Sequence, residues 1–153
     1  MRSTALVVLG VVLGGSPAFA DDVPPQCTAV ATVPADAKAK VTAIAAKVSL
    51  ATCGAMVRFG ALKLAPDDAS IAALTKAAQP SFDLLDGVIK SNDATYAPIA
   101  QKARADLLLS MAVRMRNSIP PVTPSTVGPA LVEHDKQHAE LEPKIKPWLD
   151  QAK

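Results

Sequence analysis

The chain has 153 residues, 16 Lys and Arg against 14 Asp and Glu, and only 3% aromatic residues. Near-balanced charge removes the electrostatic argument for nucleic acid or an acidic membrane surface as partner, and base stacking has few rings to work with. Abundant alanine, with few β-branched or aromatic runs, biases the chain strongly to helix. An all-α protein is expected.

Met1–Ala20 reads MRSTALVVLGVVLGGSPAFA. Arg2 supplies a positive start, Ala5 to Leu13 an apolar run, and Ala18-Phe19-Ala20 a small-x-small cleavage pattern. That is the order of a secretory signal peptide, cut after Ala20. A membrane anchor needs about 20 apolar residues, and Gly14, Gly15 and Pro17 interrupt this run well short of that. No long apolar stretch follows, so no membrane span is expected in the mature chain, and the periplasm or the extracellular space is the expected location. Residues 21–34 hold three prolines and no helical period, and read as an extended lead. Residues 35–153 have the size of one helical-bundle domain.

From Ala35 to Leu64, Val41, Ile44, Val48, Ala51, Ala55, Phe59 and Leu62 recur at steps of three and four, as on one face of a helix. Gly54 and Gly60 within it mark close packing or a bend. Pro66-Asp67-Asp68 suits a helix start. Ile71, Leu74, Ala78, Phe82, Leu85 and Ile89 then keep phase through Pro80, which predicts one kinked helix from Pro66 to Lys90. Ser91-Asn92-Asp93 offers capping side chains for a third helix ending near Ser118. Its centre, Leu107–Met115, is apolar on more than one face and should be the most buried segment. Ile119–Pro129 carries four prolines and reads as a semi-stiff crossover. Gly128-Pro129 opens a last helix whose stripe is Leu131, His134, His138, Leu141, Ile145 and Trp148. Pro143 and Pro147 share its opposite side, so a bend or break after Leu141 is expected. The sum is an up-and-down four-helix bundle with a proline-rich crossover before the last helix.

Cys27 and Cys53 are the only cysteines. In an exported protein a disulfide between them is the default. If the first helix starts at Ala35, Cys53 lies about 27 Å along it, which the eight residues back to Cys27 barely span when fully extended. A later helix start or a bend at Gly54 would relax that demand. Closing this loop should stabilise the fold by about 3–4 kcal/mol in the chain-entropy description.

His134 and His138 are the only histidines. At i and i+4 they share one helix face, a spacing that metals use. Zinc takes three or four protein ligands, and the local extras are Glu133, Asp135 and Glu142: Glu142, four residues beyond His138, is placed to reach, while Glu133 and Asp135 flank His134 and point away from the pair. The order H-D-K-Q-H lacks the glutamate that follows the first histidine in H-E-x-x-H zinc hydrolases. Glu133-His134-Asp135-Lys136-Gln137-His138 resembles the His-x-x-x-His segment of hemerythrin-like di-iron bundles over six residues. Those sites draw further histidines from other helices, and this chain has none. Met111 and Met115, one turn apart, would add thioethers suited to copper or to a His/Met-ligated haem. Core filling is the simpler role for both methionines. Arg114 is placed to pair with Glu133 or Glu140, and Glu140–Lys144 and Glu142–Lys146 have helical ion-pair spacing.

There is no G-x-S-x-G, phosphate-binding glycine loop or Cys–His nucleophile pattern. The expected function is therefore a non-catalytic binding or structural module of the cell envelope, without a cofactor, serving an unidentified protein or small-molecule ligand. The alternative is a copper-, zinc- or haem-binding bundle using His134 and His138, with Met111, Met115 or Glu142.

Overall fold

The computed structural model describes Cys27 and residues 43–153. Among these it has four α-helices and no strand: α1 Ile44–Gly60, α2 Asp68–Lys90, α3 Tyr96–Asn117 and α4 Pro129–Gln151. The expected signal segment 1–20, the lead 21–34 apart from Cys27, and residues 35–42 lie outside the described residues. Cys27 has helical backbone, so the lead is not extended at that residue.

Ala43 is extended (φ −69°, ψ 125°), so α1 begins at Ile44 rather than near Ala35. The later start resolves the disulfide geometry. Ile44 to Cys53 rises only about 14 Å, and Cys27 and Cys53 pair with Cα atoms 4.8 Å apart. α1 ends at Gly60, short of Leu64, where the Leu62 amide closes the last turn on the Phe59 carbonyl at 3.1 Å.

Asp67 caps α2: its carboxylate accepts the Ser70 N–H at 2.7 Å, and Pro66 precedes the cap instead of opening the helix. Hydrogen bonds from the Ser70 backbone and hydroxyl hold the Asp67 carboxyl below its usual range. α2 runs through Pro80 without a break. Pro80 is exposed, as is Lys76, whose carbonyl loses its helical donor, so water can serve it. Asp93 accepts the Thr95 and Tyr96 amides at 2.9 Å each and starts α3, with Pro98 in the first turn.

α3 touches α1, α2 and α4, and α1 also packs on α2. The core joins Phe59, Leu74, Leu85, Leu107, Met111, Met115, Leu141 and Ile145, with Ala51, Ala55, Ala78, Ala100 and Ala112 between them. The expected Leu107–Met115 segment is largely buried, although Leu109 remains exposed.

Between α1 and α2 the side chains are small. The Ser81 hydroxyl, 1% exposed, donates to the Ala51 carbonyl. Arg58 donates from Nε to the Ala77 carbonyl and from Nη2 to Ser81 Oγ, each at 2.6 Å. Burial pushes the Arg58 guanidinium down from its ordinary pKa. Gly54 leaves room for the Arg58 side chain of its own helix: a β-carbon there would stand 3.1 Å from Arg58 Nη1.

Gly128 sits at φ 59° and ψ −128°, a conformation that favours glycine, and hands the chain to Pro129 at the start of α4. α4 is continuous to Gln151, so it does not break after Leu141. Pro143 and Pro147 lie exposed one turn apart, so the carbonyls that lose donors open to solvent on one face. α4 enters the core only through Leu141 and Ile145, with Trp148 and Leu149 partly buried against it. No residue from 120 to 140 is buried, and Leu131 is 40% exposed. The expected seam thus holds from Leu141 to Trp148, is only partly buried at His134 and His138, and is open at Leu131. No helix of the described residues is long and apolar enough to cross a membrane.

Ser81→Ala removes the Ala51 bond and one acceptor of Arg58. Denaturant unfolding should register a loss of about 1–3 kcal/mol, against under about 0.5 kcal/mol for Ser125→Ala in the exposed crossover. Equal losses at the two sites would contradict the importance of this contact.

Candidate functional site

The two histidines lie on the part of α4 that contributes nothing buried to the core. Helical spacing puts both imidazoles on one face, with ring centroids 4.6 Å apart and planes tilted by 60°. Both residues are partly exposed. His134 Nδ1 lies 3.2 Å from Asp135 Oδ1. The His138 ring makes no hydrogen bond among the described residues. Gln137 donates to Glu133 at 3.2 Å on the same stretch.

Glu142 stands one turn beyond His138 but is clamped elsewhere. Arg116 donates to it through Nε and Nη2, each at 2.7 Å, in a two-pronged contact from the end of α3. Those hydrogen bonds hold the Glu142 carboxyl below its usual range, with Coulombic support from Arg116 and a smaller one from His138. They push the Arg116 guanidinium up. So Arg116 rather than Arg114 makes the expected link to α4, and its partner is neither Glu133 nor Glu140. Arg114 instead lies over the Phe59 ring at 5.8 Å.

Neither predicted ion pair within α4 forms as expected. Lys144 reaches Asp68 at the start of α2, at 2.8 Å, and Lys146 pairs with Asp150. Glu140 has Lys136 at 4.0 Å.

Met111 and Met115 are 0% exposed and belong to the core cluster. The structure therefore brings His134 and His138 together, commits Glu142 to Arg116, and places both methionines in the interior. Among the described residues no group of three or more His, Cys, Asp or Glu side chains is gathered to hold a metal ion. Asp135, which sequence spacing set aside because it flanks His134, proves to be that ring's hydrogen-bond partner. An open depression on α4, lined by Ala139, Glu142, Pro143, Lys146 and Leu149, adjoins this region. Val122, Val127, Leu131 and Val132 are exposed apolar side chains on the crossover and the first turn of α4.

No protein-family model, curated protein or solved structure matches the chain.

The Arg116–Glu142 contact carries a pH signature. A carboxylate whose pKa falls on folding stabilises the fold above its unfolded value, about 4.3 for Glu, and loses that contribution as pH drops through the lowered folded value. Glu142→Gln should cost about 0.2–1 kcal/mol at pH 7, since both groups are over a third exposed. Its melting temperature should also fall less steeply than that of the unmodified chain as pH is lowered from about 5 to 3. Parallel pH profiles would show that the clamp adds nothing to stability.

Proposed function

We propose that the chain is an exported, disulfide-fastened helical bundle that serves as a non-catalytic binding or structural module of the cell envelope. The observation that carries this reading is the pairing of Cys27 with Cys53, both buried, with no free cysteine among the described residues. Disulfides persist in oxidising compartments, which agrees with the signal-peptide pattern of Met1–Ala20.

Two further features support a binding role. The buried polar side chains Ser81 and Ser110 are engaged in contacts between helices. The polar groups open to solvent at the histidine pair adjoin an apolar exposed edge formed by Val127, Leu131 and Val132. The partner is an unidentified protein or small molecule.

Expression in a bacterial host followed by fractionation and N-terminal sequencing tests export. The mature chain should begin at Asp21 in the exported fraction, and thiol labelling without reduction should find no free sulfhydryl. A chain that keeps Met1, stays in the cytoplasm and labels at two cysteines would overturn the reading. Reproducible turnover abolished by His134→Ala would overturn its non-catalytic part.

A further inference from the structure

We propose that His134 and His138 form a two-imidazole chelate for a divalent borderline metal ion of the Cu(II), Ni(II) and Zn(II) class, on the open face of α4. This stands independently of export and of any protein partner.

The pair has the geometry for it. A metal bound by two ring nitrogens at about 2.0–2.1 Å each holds those nitrogens about 3 Å apart. Ring centroids at 4.6 Å are close enough to reach that arrangement by rotating the side chains, with no change in the helix. The His134 side chain keeps 22% of its surface exposed and His138 is also partly exposed, so an ion can approach both rings from solvent.

Asp135 fixes which nitrogen is free. An ionised carboxylate has no proton to give, so in the 3.2 Å contact His134 Nδ1 carries the hydrogen and Asp135 Oδ1 accepts it. The lone pair of the neutral ring then resides on Nε2. A carboxylate behind an imidazole is the arrangement that orients histidine ligands and raises their basicity.

Among the described residues neither ring has a hydrogen bond across a helix interface. A histidine kept for the core has a partner across a helix interface, whereas the His134 hydrogen bond runs to its own sequence neighbour. His138 has none among the described residues, and nothing from 120 to 140 is buried. With Glu142 matched by Arg116 from α3 and Glu140 by Lys136, Glu133 and Asp135 remain as the acidic side chains flanking His134.

Ligand chemistry selects the metal. Neutral imidazoles suit borderline ions, and the usual affinity order places Cu(II) above Ni(II) and Zn(II). Calcium and magnesium require oxygen ligands. Two protein ligands leave open positions, unlike the closed four-ligand sites that structural zinc occupies. Met111 and Met115 are buried in the core and take no part in this chelate.

Calorimetric titration of the metal-free, disulfide-intact chain with Cu(II), Ni(II) and Zn(II) chlorides, joined to electron paramagnetic resonance of the Cu(II) form, tests this. The expected result is one ion per chain, tightest for Cu(II), with nitrogen hyperfine structure from two imidazoles. His134→Ala and His138→Ala should each weaken binding by about tenfold or more, and Asp135→Asn by a smaller factor. Lys136→His/His138→Ala keeps two imidazoles but sets them two residues apart on different faces, and should bind as weakly as a single-histidine variant. Circular dichroism should give unchanged melting for all of these variants. Cu(II) binding equally tight in the His134→Ala/His138→Ala chain, or undisturbed by the Lys136→His/His138→Ala rearrangement, would overturn the proposal.

Discussion

The close approach of α1 and α2 along Ala51, Ala55 and Ala78 is the constraint on which the rest of the structure depends. All three are fully buried. Where side chains on both helices are no larger than methyl groups, the backbones come near enough for a serine hydroxyl to cross the gap. Ser81 does so, and its donation to the Ala51 carbonyl adds a second bond to a group already inside a helix. Arg58 then folds back over the Gly54 turn to donate both to Ser81 and to the Ala77 carbonyl. Buried polar groups stabilise only when they are satisfied, and this cluster satisfies itself with three bonds. The disulfide fastens Cys27 to Cys53 on the same stretch of α1. The larger residues Leu107, Met111 and Met115 of α3 join the same core.

α4 divides into two parts with different duties. From Leu141 onward it packs into the core and is tied by Glu142 to α3 and by Lys144 to the start of α2. Before Leu141 it contributes no buried residue, yet it carries the two imidazoles and the exposed Leu131 and Val132. Proline-rich crossover, glycine cap and early α4 together form a segment with no fully buried residue from 120 to 140. Changes there should alter binding with little effect on folding, while changes at Ser81 should do the reverse.

Much of the fold was legible from spacing. Residues in phase on both sides of Pro80 meant one helix, because an unrelated helix has no reason to resume on the same face. Gly128-Pro129 marked a helix start correctly, since positive φ and a fixed proline φ suit those two positions. The seam contacts were not legible. Ser81 occupies a core position one residue from Phe82, and a stripe drawn through apolar residues passes over it. The α4 stripe misled for a related reason. Periodicity tells which face of a helix is apolar, but not how deeply each position on it is buried, so Leu131, His134 and His138 looked like full seam positions. Arg116 was separable from Arg114 only by the rotation of α3 relative to α4, which sequence does not encode locally. The histidine spacing was readable; the contact of Asp135 with His134 Nδ1 needed the side-chain geometry.

Stability resides in the seam of α1, α2 and α3, while the first half of α4, which carries the histidine pair, lies outside it. Native-state amide hydrogen exchange measures this residue by residue. Amides of Ala55, Leu85 and Met111 should exchange only through global unfolding, and those of Val132 to His138 at least about 100-fold faster through local opening. Protection at Val132 to His138 equal to that at Ala55 and Met111 would contradict the account.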